Sequence, residues 1–164
     1  MTEERKRIQI VLTARPPVRV YDDEWPVIAT GEAEDYDGQY RQQATRTRAA
    51  VIRVRQHQDG RVLVYGTYDF STQWQGERDL RCNAGELLPA DNIDQASRSH
   101  HLVSAINRTA DRLIERVGTA PEDDETVVRQ SPHVAHEREA LRLAGRCIKD
   151  AAAQCVSELP PEDL

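Results

Sequence analysis

The pair Asp59-Gly60, set between apolar runs, constrains this chain more than any other feature, because it closes a β-hairpin and decides which side chains share a face. A two-residue loop would put Val51, Arg53, Arg55 and His57 on one face with Val62, Val64, Tyr68 and Phe70, mixing charge with core. A three-residue loop, Gln58-Asp59-Gly60, shifts the pairing by one and gives glycine the left-handed position of a bulged turn. Ile52, Val54 and Gln56 then lie with Val62, Val64, Gly66 and Tyr68, while Arg53 faces Tyr65 and Arg55 faces Leu63. A slip of one residue turns a whole strand over, so the cleaner segregation selects the three-residue loop.

Around this hairpin, residues 1–88 read as strands. Ile8, Ile10 and Leu12 alternate with Gln9, Val11 and Thr13. Ala14-Arg15-Pro16-Pro17 breaks the run and Val18–Tyr21 resumes it. Trp25-Pro26-Val27-Ile28-Ala29 is a short apolar block whose proline suits a strand start or edge. Tyr36-Asp37-Gly38 reads as a turn, Gln39 to Arg48 as a polar strand, and Leu80, Cys82 and Ala84 as a last one.

At Pro89 the period changes. Asp91 is placed to cap a helix reaching Val117, with Ile93, Ala96, Val103, Ile106, Ala110, Leu113 and Val117 on one stripe and Gly118 as the stop. Thr119 to Gln130 reads as a loop, and Ser131-Pro132 opens a second helix to Ser157 carrying Val134, Leu141, Ile148 and Cys155 at intervals of seven. Both stripes have coiled-coil spacing. The helices therefore either cover the apolar face of the sheet, the preferred arrangement, or pair across a homodimer. The expectation is one α+β domain over residues 1–164: an antiparallel sheet of five or six strands in residues 1–88, then two long helices forming a hairpin in residues 89–164.

Charge is partitioned along the chain. Residues 20–37 hold Asp22, Asp23, Glu24, Glu32, Glu34, Asp35 and Asp37 with no base, while residues 39–61 hold six arginines against Asp59. Beyond residue 90 there are 9 bases and 14 acids, so the net −6 is acidic at both ends around an arginine-rich centre. Neighbouring strands that neutralise each other across a sheet account for this; separate acidic and basic patches are the alternative. Cys82, Cys147 and Cys155 are too few for a disulfide framework and sit as small core residues of a reduced, cytoplasmic protein. No apolar run suits a membrane span, and Met1-Thr2-Glu3-Glu4-Arg5-Lys6-Arg7 is not a signal peptide.

The chain carries no signature of catalysis. No phosphate loop or nucleophile elbow occurs. His133, His136 and Glu137 do not follow a zinc-protease order, and His100-His101 point apart on a helix, so no catalytic residue, metal or cofactor is assigned. Two binding surfaces remain. Asp22, Asp23, Glu24, Glu122, Asp123, Asp124 and Glu125 form acidic groups suited to a basic protein partner. Arg46, Arg48, Arg53, Arg55 and Tyr65 suit a single-stranded nucleic acid, with Tyr65 beside Arg53 equally readable as a cation–π pair. Trp25 and Trp74 serve either core or interface.

Four phrases, Trp25-Pro26-Val27-Ile28-Ala29, Gly60-Arg61-Val62-Leu63-Val64-Tyr65-Gly66, Ser71-Thr72-Gln73-Trp74-Gln75-Gly76 and Ala84-Gly85-Glu86-Leu87-Leu88, resemble uncharacterised small accessory proteins of temperate bacteriophages and mobile elements. The resemblance spans residues 17–88 and brings no catalytic motif. It implies an accessory viral protein, a category that includes inhibitors of bacterial defence systems such as anti-CRISPR proteins. The resulting expectation is a non-enzymatic protein-binding factor in the host cytoplasm. Its acidic surface would engage a host protein or nucleoprotein complex, with nucleic-acid binding as the alternative and no membrane partner.

Overall fold

A computed structural model describes residues 6–12, 17–37, 46–72, 79–90, 95–123 and 137–160. Six strands precede two helices: β1 (Arg7–Ile10), β2 (Val18–Tyr21), β3 (Val27–Asp37), β4 (Arg46–Gln56), β5 (Val62–Thr72), β6 (Leu80–Leu88), α1 (Gln95–Asp123) and α2 (Glu137–Ser157). The α+β order matches the periods of the sequence, with all pairings antiparallel. The strands divide into two sheets rather than one: a β1-β2 hairpin and a β3-β4-β5-β6 meander.

The Asp59-Gly60 loop has three residues. His57 and Arg61 close it through a His57 N–H to Arg61 O bond of 2.9 Å, and Gly60, at φ 100°, donates its N–H to His57 O. Arg53 faces Tyr65 and Arg55 faces Leu63, the register that segregated charge from core.

That register gives the meander two unlike faces. Ala50, Ile52 and Val54 of β4, Val62, Val64 and Tyr68 of β5, and Cys82 and Ala84 of β6 are buried against the helices. Leu102, Ala105, Ile106, Thr109, Ala110, Leu113 and Val117 make the buried stripe of α1, at helical intervals of three and four. Thr109 is accommodated because its hydroxyl donates to Ala105 O at 2.9 Å. From α2 come Ala144, Cys147, Ile148, Ala151, Ala152 and Cys155. The described core of each stripe, heptad-like in sequence, thus packs within one chain against its own sheet.

One helix boundary differs from the sequence reading. Gly118 does not stop α1, which continues through Pro121 to Asp123. Among the described residues only Gly60 has a left-handed glycine φ, so Gly118 lacks the conformation that ends a helix there. Gly118 instead faces α2, close to Leu141. Val103 is half-buried while Leu102 and Ala105 are in the core, a small rotation of the predicted stripe. The caps expected at Asp91 and Ser131-Pro132, and His133, His136 and Trp74, lie outside the described residues.

Tyr36 and Asp37, expected to open a turn, instead end β3, an eleven-residue edge strand that contains the acidic run 32–37. It stays extended because β4 lies alongside with arginines in register: Asp35 faces Arg48 and Asp37 faces Arg46. Its outer side is met by α2. Cys147 Sγ–H donates to Ala33 O at 3.4 Å, Glu32 N–H donates to Gln154 Oε1 at 2.9 Å, and the helix backbone comes so close at Gly31 that a side chain there would collide with Ala151 O.

Candidate binding groove and charged surface

On the face away from the helices, the β1-β2 hairpin lies across the upper half of the meander. Ile10 and Val20 of the hairpin, Trp25 from the turn after it, and Leu63 of β5 form a second, smaller core. Trp25 is held there by the His57 ring at 5.0 Å and the Arg61 guanidinium at 5.1 Å. The Asp59 carboxylate accepts from Arg61 N–H at 3.0 Å and Arg61 Nε–H at 2.8 Å; the backbone bond is the larger cause of a pKa below the ordinary carboxylate value.

The hinge of this arrangement is Arg55. Its Nε–H donates to Tyr65 Oη at 2.7 Å, and Nη1–H donates to Asp22 Oδ1 at 2.7 Å and to Trp25 O at 2.9 Å. Burial opposes its charge, but the bonds to Tyr65 and Asp22 outweigh burial and hold its pKa above the ordinary guanidinium value. One fixed fork thus ties β4 to β5, to the turn after β2 and to the Trp25 backbone.

Below the hairpin the outer face is open among the described residues. Ladders run across it: Arg53–Tyr65–Gly85, then Val51–Thr67–Asn83, then Ala49–Asp69–Arg81. Between this open half and β1 lies a groove of about 630 Å³, lined on the sheet side by Arg53, Arg55, Tyr65, Thr67, Arg81 and Asn83. Lys6, Ile8, Gln9, Ile10, Val11 and Asp22 line the other wall. Four of these twelve side chains are cationic and one is anionic. Thr67 Oγ1–H donates to Asn83 Oδ1 at 3.0 Å in the floor.

The structure separates the arginines grouped by sequence. Arg48 lies on the helix face, 3% exposed, with Nη1 3.6 Å from Asp35 Oδ2. Arg55 is buried in its network. Arg53 remains half-buried on the groove and pairs with Glu32 at 3.6 Å, while Arg46 is half-buried opposite Asp37. The aromatic partner of Tyr65 is Arg55, at 5.9 Å, in place of the expected Arg53, because Arg53 leans toward Glu32 on β3. Internal neutralisation between strands is therefore what the charge alternation encodes. Of the acidic group, Asp22 is the Arg55 partner, and Asp23 and Glu24 are exposed in the turn after β2. Glu122 and Asp123 end α1 with side chains outside the description, and Asp124 and Glu125 lie outside the described residues altogether.

Sequence reasoning missed the groove residues Lys6, Gln9, Thr67, Arg81 and Asn83. Extending the hairpin register to β6 places Thr67 and Asn83 on the outer face, but nothing in the sequence aims β1 across it.

Among the described residues no helix is long and apolar enough to cross a membrane, and no three metal-binding side chains gather. His100 and His101 are exposed on α1 with ring centroids 6.2 Å apart. The three thiols are buried between sheet and helices, and burial pushes Cys147 up to about 11 and Cys155 up to about 12, away from nucleophilic use. No protein family, curated protein or solved structure matches the chain.

Proposed function

We propose that this chain is a non-enzymatic protein-binding factor whose exposed carboxylates meet a basic surface on its partner. The observation that carries this reading is the pairing of the sheet arginines with the chain's own acids. Arg48, Arg53, Arg55, Arg61 and Arg81 each have a carboxylate partner within 3.6 Å. Asp23, Glu24 and Glu34 are exposed on an acidic body, and charge of one sign on a surface speeds and selects encounter with its opposite. The resemblance of residues 17–88 to phage accessory proteins adds a setting: a mobile-element protein acting in the host on a nucleoprotein complex, in the manner of an inhibitor of a defence system.

Affinity purification from host lysate tests the reading. A protein should co-purify with the wild-type chain and be lost from Asp23→Lys/Glu24→Lys, increasingly so at high salt. Recovery of no protein would overturn it. Single-stranded oligonucleotide titrated at low salt should leave the chain unbound, since phosphate binding by free arginines would appear there first.

A further inference from the structure

Ile8, Gln9, Ile10 and Val11 are consecutive, and all four line the groove. Side chains of consecutive strand residues point to opposite faces, so what these residues share with the groove is the edge of β1. The bonding phase agrees. Asp22 N–H donates to Lys6 O at 2.9 Å, and the register pairs Ile8 with Val20 and Ile10 with Val18. Even-numbered residues of β1 therefore exchange hydrogen bonds with β2, and the N–H and C=O groups of Arg7 and Gln9 point the other way. Among the described residues no strand pairs with that side, and the second sheet stops at two strands.

We propose that this edge accepts an extended segment of a protein partner as a third strand, laid across the open half of the meander, and that the segment is acidic. Main-chain groups of Arg7 and Gln9 supply the ladder. Alternate guest side chains face the floor, where they meet Arg53, Thr67, Asn83 and Arg81, with Lys6 at one end. Arg53 and Arg81 are held by exposed carboxylates, Glu32 at 3.6 Å and Asp69 at 2.9 Å, which a guest carboxylate replaces at little cost. The unused edge matches a peptide backbone rather than a phosphodiester, and the floor's one aromatic, Tyr65, already receives the Arg55 hydrogen bond. This rests on the reading of the chain as a protein binder but uses a different surface.

The test is fluorescence anisotropy with a labelled octapeptide alternating glutamate with valine, against its lysine counterpart and an oligothymidylate. The glutamate peptide should bind saturably and the other two should not. Gln9→Pro removes an outward N–H without touching the β1-β2 ladder and should weaken binding about tenfold, whereas Gln9→Ala should not. Arg53→Glu/Arg81→Glu should transfer the preference to the lysine peptide. If Gln9→Pro fails to fold, amide exchange at Arg7 and Gln9 of the wild-type chain should slow when the glutamate peptide is added. Absence of binding, equal binding to folded Gln9→Pro, or binding of the oligothymidylate in its place overturns the proposal. So does a lysate partner that is lost from Asp23→Lys/Glu24→Lys yet retained by Gln9→Pro, a result that would leave the protein-binding reading intact.

Discussion

The two faces of the meander are covered by different means. On one face, α1 and α2 cover a largely apolar surface, and α2 comes close enough for its backbone to touch Gly31. On the other, a short hairpin covers part of the face through a four-residue buried cluster and one buried arginine, leaving a polar groove beside it. Apolar burial without direction holds the first; directed, charge-assisted bonds hold the second. The difference teaches where each face can change. A sealed face resists substitution throughout its area, while the hairpin face depends on a few atoms and leaves strand edge and polar floor accessible.

The largest effect should follow from Gly31→Ala. The added Cβ would lie 1.8 Å from Ala151 O and 2.5 Å from Cys155 N, both backbone atoms of α2, so the whole helix must move. A loss of at least about 3 kcal/mol in urea unfolding is expected, at or beyond the upper range of overpacking. A loss below about 1 kcal/mol would mean that α2 is far more loosely seated than the face it covers implies.

The comparable attack on the other face is Arg55→Met, which strands Asp22, Tyr65 Oη and Trp25 O together. Removing one member of a buried ion pair costs about 3–5 kcal/mol; Asp22 is half-exposed and rehydrates, which lowers the expectation to about 2 kcal/mol. Trp25 emission should shift to the red while the helical circular dichroism at low denaturant stays unchanged. Loss of both signals together would make the two faces one unit.

The contrast also explains what the sequence made legible. The helix face was readable because apolar periods of 2 and 3.6 report burial directly, and Gly60 fixed the register that sorted them. The acidic half of edge strand β3 was not readable, since its alternation is of small and acidic residues, Gly31-Glu32-Ala33-Glu34-Asp35, whose extended form depends on arginines distant in sequence, in β4. Gly118 misled because glycine permits a helix stop without requiring one. The groove was invisible for a third reason: Lys6, Arg53 and Arg81 come together only through the crossing angle of a hairpin on a sheet, which no local pattern encodes.

Gly60→Ala, with φ at 100°, should cost about 1–2 kcal/mol through backbone strain alone. Ala90 Cβ at 3.2 Å adds to it. Gly60→Asn should cost less, because asparagine tolerates the left-handed region. Both variants keep the register, so both faces should keep their covers, and chemical shifts of β4 and β5 distant from the turn should not move.

The smallest effect at neutral pH is the most selective for one face. Cys82 lies beneath the helices and Cys147 and Cys155 on the buried side of α2, and burial raises each thiol above its ordinary value near 9, to about 11 for Cys147 and about 12 for Cys155. A raised folded pKa means that the unfolded chain releases its protons first as pH rises. Stability is therefore whole below pH 9, declines from there, and has lost this contribution by about pH 12. The urea midpoint of the wild-type chain should fall between pH 9 and 11, and that of Cys147→Ala/Cys155→Ala should start lower but fall less steeply over the same interval. Equal slopes would mean that water reaches these thiols, and that the helix face is as open as the groove on the other side.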